Sequence, residues 1–202
     1  MKIIGLTGGI GTGKGVVAAF LGSMGAAVID ADRLGHEAYA HGMDGWDQVV
    51  KLFGTEILDS NGEIDRRVLA KIVFSDAAAL QKLNSAIHPI IKRTIRTLLK
   101  DCEDTGIEVA VIEAAILLET GWNDLVDETW LVTAGYEAVV ERVQKRQGLS
   151  RDQVEIRIRA QSSTEWKMDH ADIVIDNSGT VEQLEVRIRH LWETRVLGNR
   201  GV

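Results

Sequence analysis

Residues 2–18 of the chain are KIIGLTGGIGTGKGVVA. A short apolar run is followed by a loop that carries four glycines between residues 8 and 13, and then by a second apolar run. Gly8, Gly13 and Lys14 match the spacing G-x-x-x-x-G-K, in which backbone N–H groups surround a phosphate and the lysine reaches the outer phosphates of a nucleotide. The amino terminus of the next helix adds its partial positive charge. The stretch therefore predicts a strand, a phosphate-binding loop and a helix.

Two other interpretations of these glycines are weaker. A flexible turn needs only one or two glycines. The dinucleotide pattern G-x-G-x-x-A is met by residues 13–18, with Asp30 and Asp32 about twenty residues downstream. In a dinucleotide-binding fold, however, the first glycine follows the strand closely, whereas Gly13 lies several residues beyond Thr7. The position of the strand thus favours the mononucleotide loop.

Length and composition restrict the class of protein. The chain has 202 residues, of which 45% are hydrophobic, enough for one domain with insertions or for one large and one small lobe. The net charge of −7 argues against a nucleic-acid or membrane-surface partner, because such proteins need a basic face. A small anionic substrate needs only a local basic pocket. We expect a monomer or a weak homo-oligomer.

The sequence also predicts a cytoplasmic protein. Cys102 is the single cysteine, so no internal disulfide can form. The first residues begin directly on a predicted strand, without the basic and apolar regions of a signal peptide. The longest nearly apolar stretch, residues 109–118, contains Glu113 and is shorter than the ~20 residues that a membrane helix requires.

Five short apolar runs alternate with helical segments, which predicts an α/β fold with a parallel sheet of about five strands covered by helices on both faces. The runs are Ile3–Leu6, Ala27–Ile29, Val109–Ile112, Thr129–Val132 and Ile173–Ile175. Ligands bind beyond the carboxyl ends of such strands. The polar residues predicted at these ends are Thr7, Asp30, Asp32, Glu113, Thr133, Asp176 and Asn177.

Two stretches do not fit simple connections between strands. Residues 34–101 are too long for a crossover and predict a helical insertion. Residues 136–168 are rich in arginine and predict a mobile lid, although the interspersed Glu137, Glu141, Asp152 and Glu155 also fit a solvated, salt-bridged helix face. The predicted organisation is core at 1–33, insertion at 34–101, core at 102–135, lid at 136–168, and core with a C-terminal helix at 169–202.

The chain resembles the dephospho-coenzyme A kinases nearly end to end. The resemblance is carried by the order and spacing of five motifs, which are Gly5–Gly11, Val28–Asp32, Gly62–Arg67, His88–Pro89 and Ile173–Gly179. It implies a P-loop nucleotide-binding core, a helical domain for the acceptor, and a lid. The implied activity uses ATP, with Mg²⁺, to phosphorylate the ribose 3′-hydroxyl of dephospho-coenzyme A, the last step of coenzyme A synthesis.

The resemblance implies catalytic roles for three residues. Asp32 follows the second predicted strand and is the expected base, as well as a candidate metal ligand through phosphates and water. The alternative for Asp32 is to cap a helix predicted at 33–39, a role for which Asp30 competes. Lys14 is expected to neutralise charge on the transferred phosphoryl group, and Arg142 to act as a lid arginine in the transition state.

Binding residues follow from the same resemblance. The predicted ATP-binding residues are Gly9, Ile10, Gly11, Thr12, Gly13, Lys14, Gly15, Val16, Arg146, Asn177 and Gly179, with Arg151 as a further candidate. The predicted acceptor-binding residues are Thr7, Asp32, Arg67, His88, Leu117 and Glu119. Some of these residues also fit a structural role. Asn177 and Gly179 are typical of an ordinary turn, and Arg67 could instead pair with Asp65 or Glu63. His88 could instead contact a backbone group at the start of a helix.

Some residues depart from the family's pattern. Gly15 and Val16 replace hydroxyl residues after the P-loop lysine, Ala115 replaces a proline, and Lys167 stands where arginine is common. Without a hydroxyl at Gly15 one Mg²⁺ ligand is lost, which a water can replace, so we expect weaker metal binding and not inactivity. The alternatives are a catalytically weak nucleotide-binding protein and a related small-molecule or nucleoside kinase.

Overall fold

The computed structural model describes residues 1–198, so the last four residues of the predicted C-terminal range 169–202 lie outside it. Within residues 1–198, five strands form one sheet in the order β2-β3-β1-β4-β5, with parallel pairing throughout. The strands are β1 Lys2–Gly8, β2 Ala27–Asp30, β3 Val109–Glu113, β4 Glu128–Thr133 and β5 Ile173–Asp176. The predicted α/β fold and all five predicted strands are confirmed.

The strands extend beyond their apolar runs because flanking polar residues also pair with neighbouring strands of the sheet. Glu113, for example, is in register with Leu6 on one side and with Asp30 on the other. The sheet packs on one face against α1 Lys14–Ser23 and α9 Val181–Leu191. The buried residues of this core are Ile4, Leu6, Val17, Leu21, Val111, Trp130, Val132, Ile175, Leu184 and Ile188.

The remaining helices occupy the two long connections and the region after β4. They are α2 Ala31–Glu37, α3 Asp44–Phe53, α4 Arg66–Ser75, α5 Ala77–Asp104, α6 Tyr136–Gln147, α7 Arg151–Arg159 and α8 Thr164–Asp169. Side chains cap the amino termini of several of these helices. The Asp65 side chain accepts hydrogen bonds from first-turn amides of α4, and Ser150 with Gln153 forms a capping box at α7. No helix among residues 1–198 is long and apolar enough to cross a membrane.

Contacts divide the chain into two compact units. The first contains Met1–Asp30 and the described residues from Leu99 onward, and thus the whole sheet. The second, Ala31–Leu98, is helical and has its own buried residues. Inside it the Trp46 indole N–H donates to the Gly62 carbonyl oxygen at 3.1 Å. The role of acceptor-binding domain assigned to residues 34–101 stays a prediction.

Two helix boundaries differ from those predicted. His88 and Pro89 do not start a helix but lie inside α5, which continues through the proline. A proline in a helix interior removes one backbone hydrogen bond. Here the buried neighbours Ile87, Ile90 and Ile91 pack α5 on both sides of the proline, and this packing compensates for the lost bond.

The second difference concerns α2. It begins at Ala31, so Asp32 lies within the first turn, and Asp30 precedes the helix at the position of a cap. The capping alternative therefore fits Asp30 better than Asp32.

Candidate active site

The phosphate-binding loop connects β1 to α1 in a conformation that depends on glycine. Gly11 and Gly13 have φ angles of +73° and +96°, a left-handed region in which a side chain is strained. Gly13 precedes α1 and has no side chain to cap the first amides of that helix. The Lys14 ammonium donates to the Gly8 carbonyl oxygen at 3.0 Å, and the Thr12 hydroxyl donates to the Gly9 carbonyl oxygen at 2.9 Å. These two hydrogen bonds hold the loop, and no side chain caps the amino terminus of α1, the end of a helix that binds anions.

Packing also requires glycine in this loop. A Cβ atom on Gly8 would lie 2.5 Å from the Val132 carbonyl oxygen, and one on Gly11 would lie 2.7 Å from Val143 Cγ2. A Cβ atom on Gly13 would overlap the side-chain amide of Asn177. These glycines are therefore needed for close contacts with β4, α6 and the loop after β5.

Asn177 connects the loop after β5 to the phosphate-binding loop. Its side chain is buried, and Nδ2 donates to the Thr12 carbonyl oxygen at 2.8 Å. Its backbone N–H donates to the Thr133 carbonyl oxygen at 2.7 Å. These contacts go beyond those of an ordinary turn, whereas the nucleotide contacts of Asn177 and the neighbouring Gly179 stay predictions.

Arg142 reaches the same place from α6. Its Nη2 donates to the Asn177 carbonyl oxygen at 2.9 Å. Its Nη1 is buried and has no hydrogen-bond partner among the described residues. A buried N–H of a charged group left unpaired costs about 1–3 kcal/mol or more, so this nitrogen is suited to an acceptor atom of a ligand. The catalytic role of Arg142 stays a prediction, and the structure adds that its guanidinium lies against the predicted nucleotide-binding loop.

Several of the other arginines in residues 136–168 form ion pairs with neighbouring side chains. Arg151 pairs with Glu137 at 2.7 Å and with Glu155 at 3.0 Å. The pair with Glu137 connects α7 to α6. The hydrogen bond from Arg151 lowers the pKa of Glu137. Arg159 pairs with Glu155 at 3.2 Å. The salt-bridged interpretation therefore describes Arg151 and Arg159, whereas Arg146 is exposed in the last turn of α6.

A buried lysine organises the segment after β3. Lys167 is 2% exposed, and its ammonium donates to the Ala115 carbonyl oxygen at 3.0 Å and pairs with Glu119 at 3.1 Å. The Thr7 hydroxyl donates to the same carbonyl oxygen at 3.3 Å. Thr7 and Leu117 are fully buried. The acceptor contacts of Thr7 and Leu117 stay predictions, and the carboxylate of Glu119 already has a cationic partner.

Gly15 is a glycine that the fold does not require. It lies in the first turn of α1 and is exposed, and its φ angle is not positive. Outside its own helix, the nearest atom to a Cβ placed there is Glu113 Oε1, at 3.8 Å, an ordinary contact distance. Glycine costs a helix interior about 1 kcal/mol relative to alanine. The neighbouring Val16 is also exposed.

Glu113 suits the metal that a nucleotide would bring. Among residues 1–198, no cluster of three or more His, Cys, Asp or Glu side chains could hold a metal ion alone. Mg²⁺ is commonly bound through one or two carboxylates together with substrate phosphates and water. The Glu113 carboxylate, next to Gly15 at the carboxyl end of β3, provides such an oxygen donor.

Three predicted site residues belong to the second unit. Asp32 is exposed in the first turn of α2, and the Arg67 side chain is 92% exposed, with Nε 3.8 Å from Asp65. His88 is half-buried, and burial lowers its pKa. It borders a groove of about 360 Å³ along α5. The groove is lined by Ala77, Leu80, Gln81, Asn84, Ser85, His88 and Pro89.

Gln161 is a site residue that no sequence pattern indicated. This residue lies between α7 and α8, and its Oε1 accepts a hydrogen bond from the Ile10 backbone N–H at 2.9 Å. No motif or periodicity marks it, because a contact between residues so far apart in the chain arises only in the folded structure.

Comparisons with known proteins agree with this arrangement. A family model described as dephospho-CoA kinase matches residues 2–183. The dephospho-CoA kinase of Geobacter sulfurreducens is 44% identical over 195 residues, which are 96% of this chain and 99% of that protein.

Solved structures share the fold of this chain. TT1252 from Thermus thermophilus superposes with a TM-score of 0.81 at 37% identity, covering 96% of this chain and 97% of that one. Dephospho-CoA kinase from Campylobacter jejuni has a TM-score of 0.73 at 23% identity, covering 98% of this chain and all of that one, which shows a shared fold. By its sequence match over nearly its whole length, this chain belongs to the dephospho-CoA kinase family.

Proposed function

We propose that this chain transfers the γ-phosphoryl group of ATP to the ribose 3′-hydroxyl of dephospho-coenzyme A and releases coenzyme A and ADP. The observation that carries the proposal is the glycine loop with Lys14 at the start of α1, in a chain of this family. Phosphoryl transfer depends mostly on positioning and on neutralising charge, which such a loop provides.

The predicted catalytic residues and the phosphate-binding loop have the following roles in this reaction. The loop amides, the amino terminus of α1 and Lys14 bind the β- and γ-phosphates of ATP. Asp32 accepts the proton of the ribose hydroxyl while the oxygen bonds to the γ-phosphorus and the bond to the bridging oxygen of ADP breaks. Arg142 stabilises the charge on the transferred phosphoryl group in the transition state, and Asn177 contacts the nucleotide. Mg²⁺, when bound, neutralises phosphate charge, and Glu113 and Asp32 are the carboxylates assigned to hold it with water.

The acceptor is assigned to the second unit, where Arg67 and His88 are the proposed contacts. An exposed guanidinium such as that of Arg67 can bind an anionic group of the acceptor through two hydrogen bonds. We further propose that the protein acts in the cytoplasm, as a monomer or weak homo-oligomer.

The proposal is tested by measuring ADP formation from ATP and Mg²⁺ with and without dephospho-coenzyme A, and by identifying the product by mass. We expect turnover that depends on the acceptor and a product heavier by one phosphoryl group. ATP binding without such turnover, even at high Mg²⁺, would instead support a nucleotide-binding protein. Turnover with a different small hydroxyl compound alone would support a related kinase.

The absence of a hydroxyl at Gly15 leads to a separate prediction about the Mg²⁺ requirement of the reaction. We expect Gly15→Ser to lower the Mg²⁺ concentration required for half-maximal rate by several-fold, because the new hydroxyl would stand beside Glu113 and supply a metal ligand. The measurement is a Mg²⁺ titration of the initial rate at fixed ATP.

The matched control is Gly15→Ala, which favours the helix without adding a hydroxyl. Both variants should unfold at a temperature equal to or above that of the wild type, but only the serine should change the Mg²⁺ requirement. Equal half-saturation in the wild type and Gly15→Ser would refute the prediction.

A further inference from the structure

Two side-chain amides form hydrogen bonds with the backbone of the phosphate-binding loop. Asn177 donates to the Thr12 carbonyl oxygen, at 2.8 Å. Gln161 does the reverse, since its Oε1 accepts from the Ile10 N–H, at 2.9 Å. A carbonyl and an N–H of the loop are thus both paired with side chains from distant parts of the chain.

The Gln161 contact lies where apolar packing leaves the loop incompletely supported. Ile10 packs against the apolar cluster of Val139, Val140, Val143 and Val154, which α6 and α7 provide. The flank of the loop at Gly9, Ile10 and Thr12 nevertheless borders a cavity of about 580 Å³ that Gln161 also lines. On this flank, the hydrogen bond from the Ile10 N–H to Gln161 holds the loop backbone in addition to the apolar contacts of the Ile10 side chain.

Gly9 permits this contact. A Cβ atom on Gly9 would lie 3.2 Å from Gln161 Oε1, closer than most side-chain contacts. The Gln161 backbone is itself held, because its N–H donates to the Ile158 carbonyl oxygen at 3.2 Å at the end of α7. The side chain is therefore anchored on the region predicted as a lid and reaches the loop at a glycine.

We propose that Gln161 is a positioning residue for phosphoryl transfer, which fixes the Ile10 segment of the phosphate-binding loop and couples it to residues 136–168. The inference rests on the proposed function. Gln161 acts through the Ile10 amide and is not assigned a contact with substrate. A displacement of about 1 Å in a site that aligns reacting atoms can cost 10²-fold in rate, so a loose loop would slow the chemical step.

The test compares two variants of similar size. Gln161→Met removes the acceptor, and Gln161→Glu retains an acceptor oxygen but adds a negative charge. We expect Gln161→Met to lower kcat by about 10- to 100-fold with little change in the KM for dephospho-coenzyme A. We expect Gln161→Glu to restore most of kcat at saturating ATP but to raise the KM for ATP, because a carboxylate near the loop repels the triphosphate. A purely structural role would not separate kcat from KM in this way.

Amide exchange at Ile10 provides a readout independent of turnover. In NMR-detected hydrogen exchange, the Ile10 amide should exchange about 5- to 10-fold faster in Gln161→Met and at nearly the wild-type rate in Gln161→Glu. Unchanged kcat in Gln161→Met would overturn the inference, as would an equal loss of kcat in both variants or unchanged exchange at Ile10. An inactive wild type would contradict the proposed function instead, whereas the exchange experiment would still show whether Gln161 holds the loop.

Discussion

Asp32→Asn should reduce the rate of acceptor phosphorylation by a factor of about 10²–10⁴, the usual contribution of a positioned general base. Asparagine has nearly the same shape as aspartate but cannot accept the proton of the ribose hydroxyl. Binding of ATP should change less than kcat, because the phosphates are assigned to the loop and Lys14, and Glu113 remains as the second carboxylate assigned to Mg²⁺. The measurement is kcat and the KM for each substrate in a coupled ADP assay.

Asp30→Asn is the matched control for this prediction. Asp30 lies two residues earlier, ends β2 and precedes α2, so its expected role is structural. We expect a smaller loss of kcat in Asp30→Asn than in Asp32→Asn. Wild-type kcat in Asp32→Asn would show that Asp32 is not the base, and a larger loss in Asp30→Asn would transfer the role to that carboxylate.

Lys14→Ala should lower kcat by about 10²–10³-fold and weaken ATP binding, comparable to the loss of one group that stabilises charge in a transition state. The Lys14 ammonium lies on the loop, where it donates to the Gly8 carbonyl oxygen, and from this place it would meet the outer phosphates. The effect should appear in single-turnover rates at saturating ATP as well as in the KM for ATP.

An exposed lysine serves as the control for Lys14. Lys100 is exposed near the carboxyl end of α5, and Lys100→Ala should leave both constants within about twofold of the wild type, since exposed charges contribute little. If Lys14→Ala behaves like Lys100→Ala, Lys14 is a surface lysine and the assignment of the loop is wrong. Thermal unfolding of both variants would show whether a loss of activity reflects a loss of structure.

The strands and the phosphate-binding loop could be predicted because their signals are local. The five apolar runs all became strands of one parallel sheet, since short buried strands need consecutive apolar residues. The loop was marked by glycines whose positive φ angles at Gly11 and Gly13 only glycine adopts readily. The structure shows where Asp32, Lys14 and the other predicted site residues lie, but their functional roles stay predictions.

Local signals were less reliable where tertiary packing competes with them. The proline at Pro89 predicted a helix boundary, yet α5 continues because buried isoleucines pack on either side. The sequence left open whether the arginines of residues 136–168 form salt bridges on a solvated helix face or bind phosphate. The structure pairs Arg151 with Glu137 and Glu155, and its contact with the nucleotide stays a prediction. Such pairs depend on the angle between α6 and α7, which the sequence does not encode in one place.

The parallel α/β architecture, the glycine loop with its lysine, and the absence of a hydroxyl at Gly15 could be predicted from the amino-acid order, because each depends on residues close together in the chain. The folded structure was required to show that Asn177 and Gln161 hold the loop, that Lys167 is buried against Ala115, and that Glu113 lies beside Gly15. These contacts join residues 52 to 165 positions apart. Their polar groups find partners only when the sheet brings distant segments together, since a buried polar group must be paired wherever the fold places it.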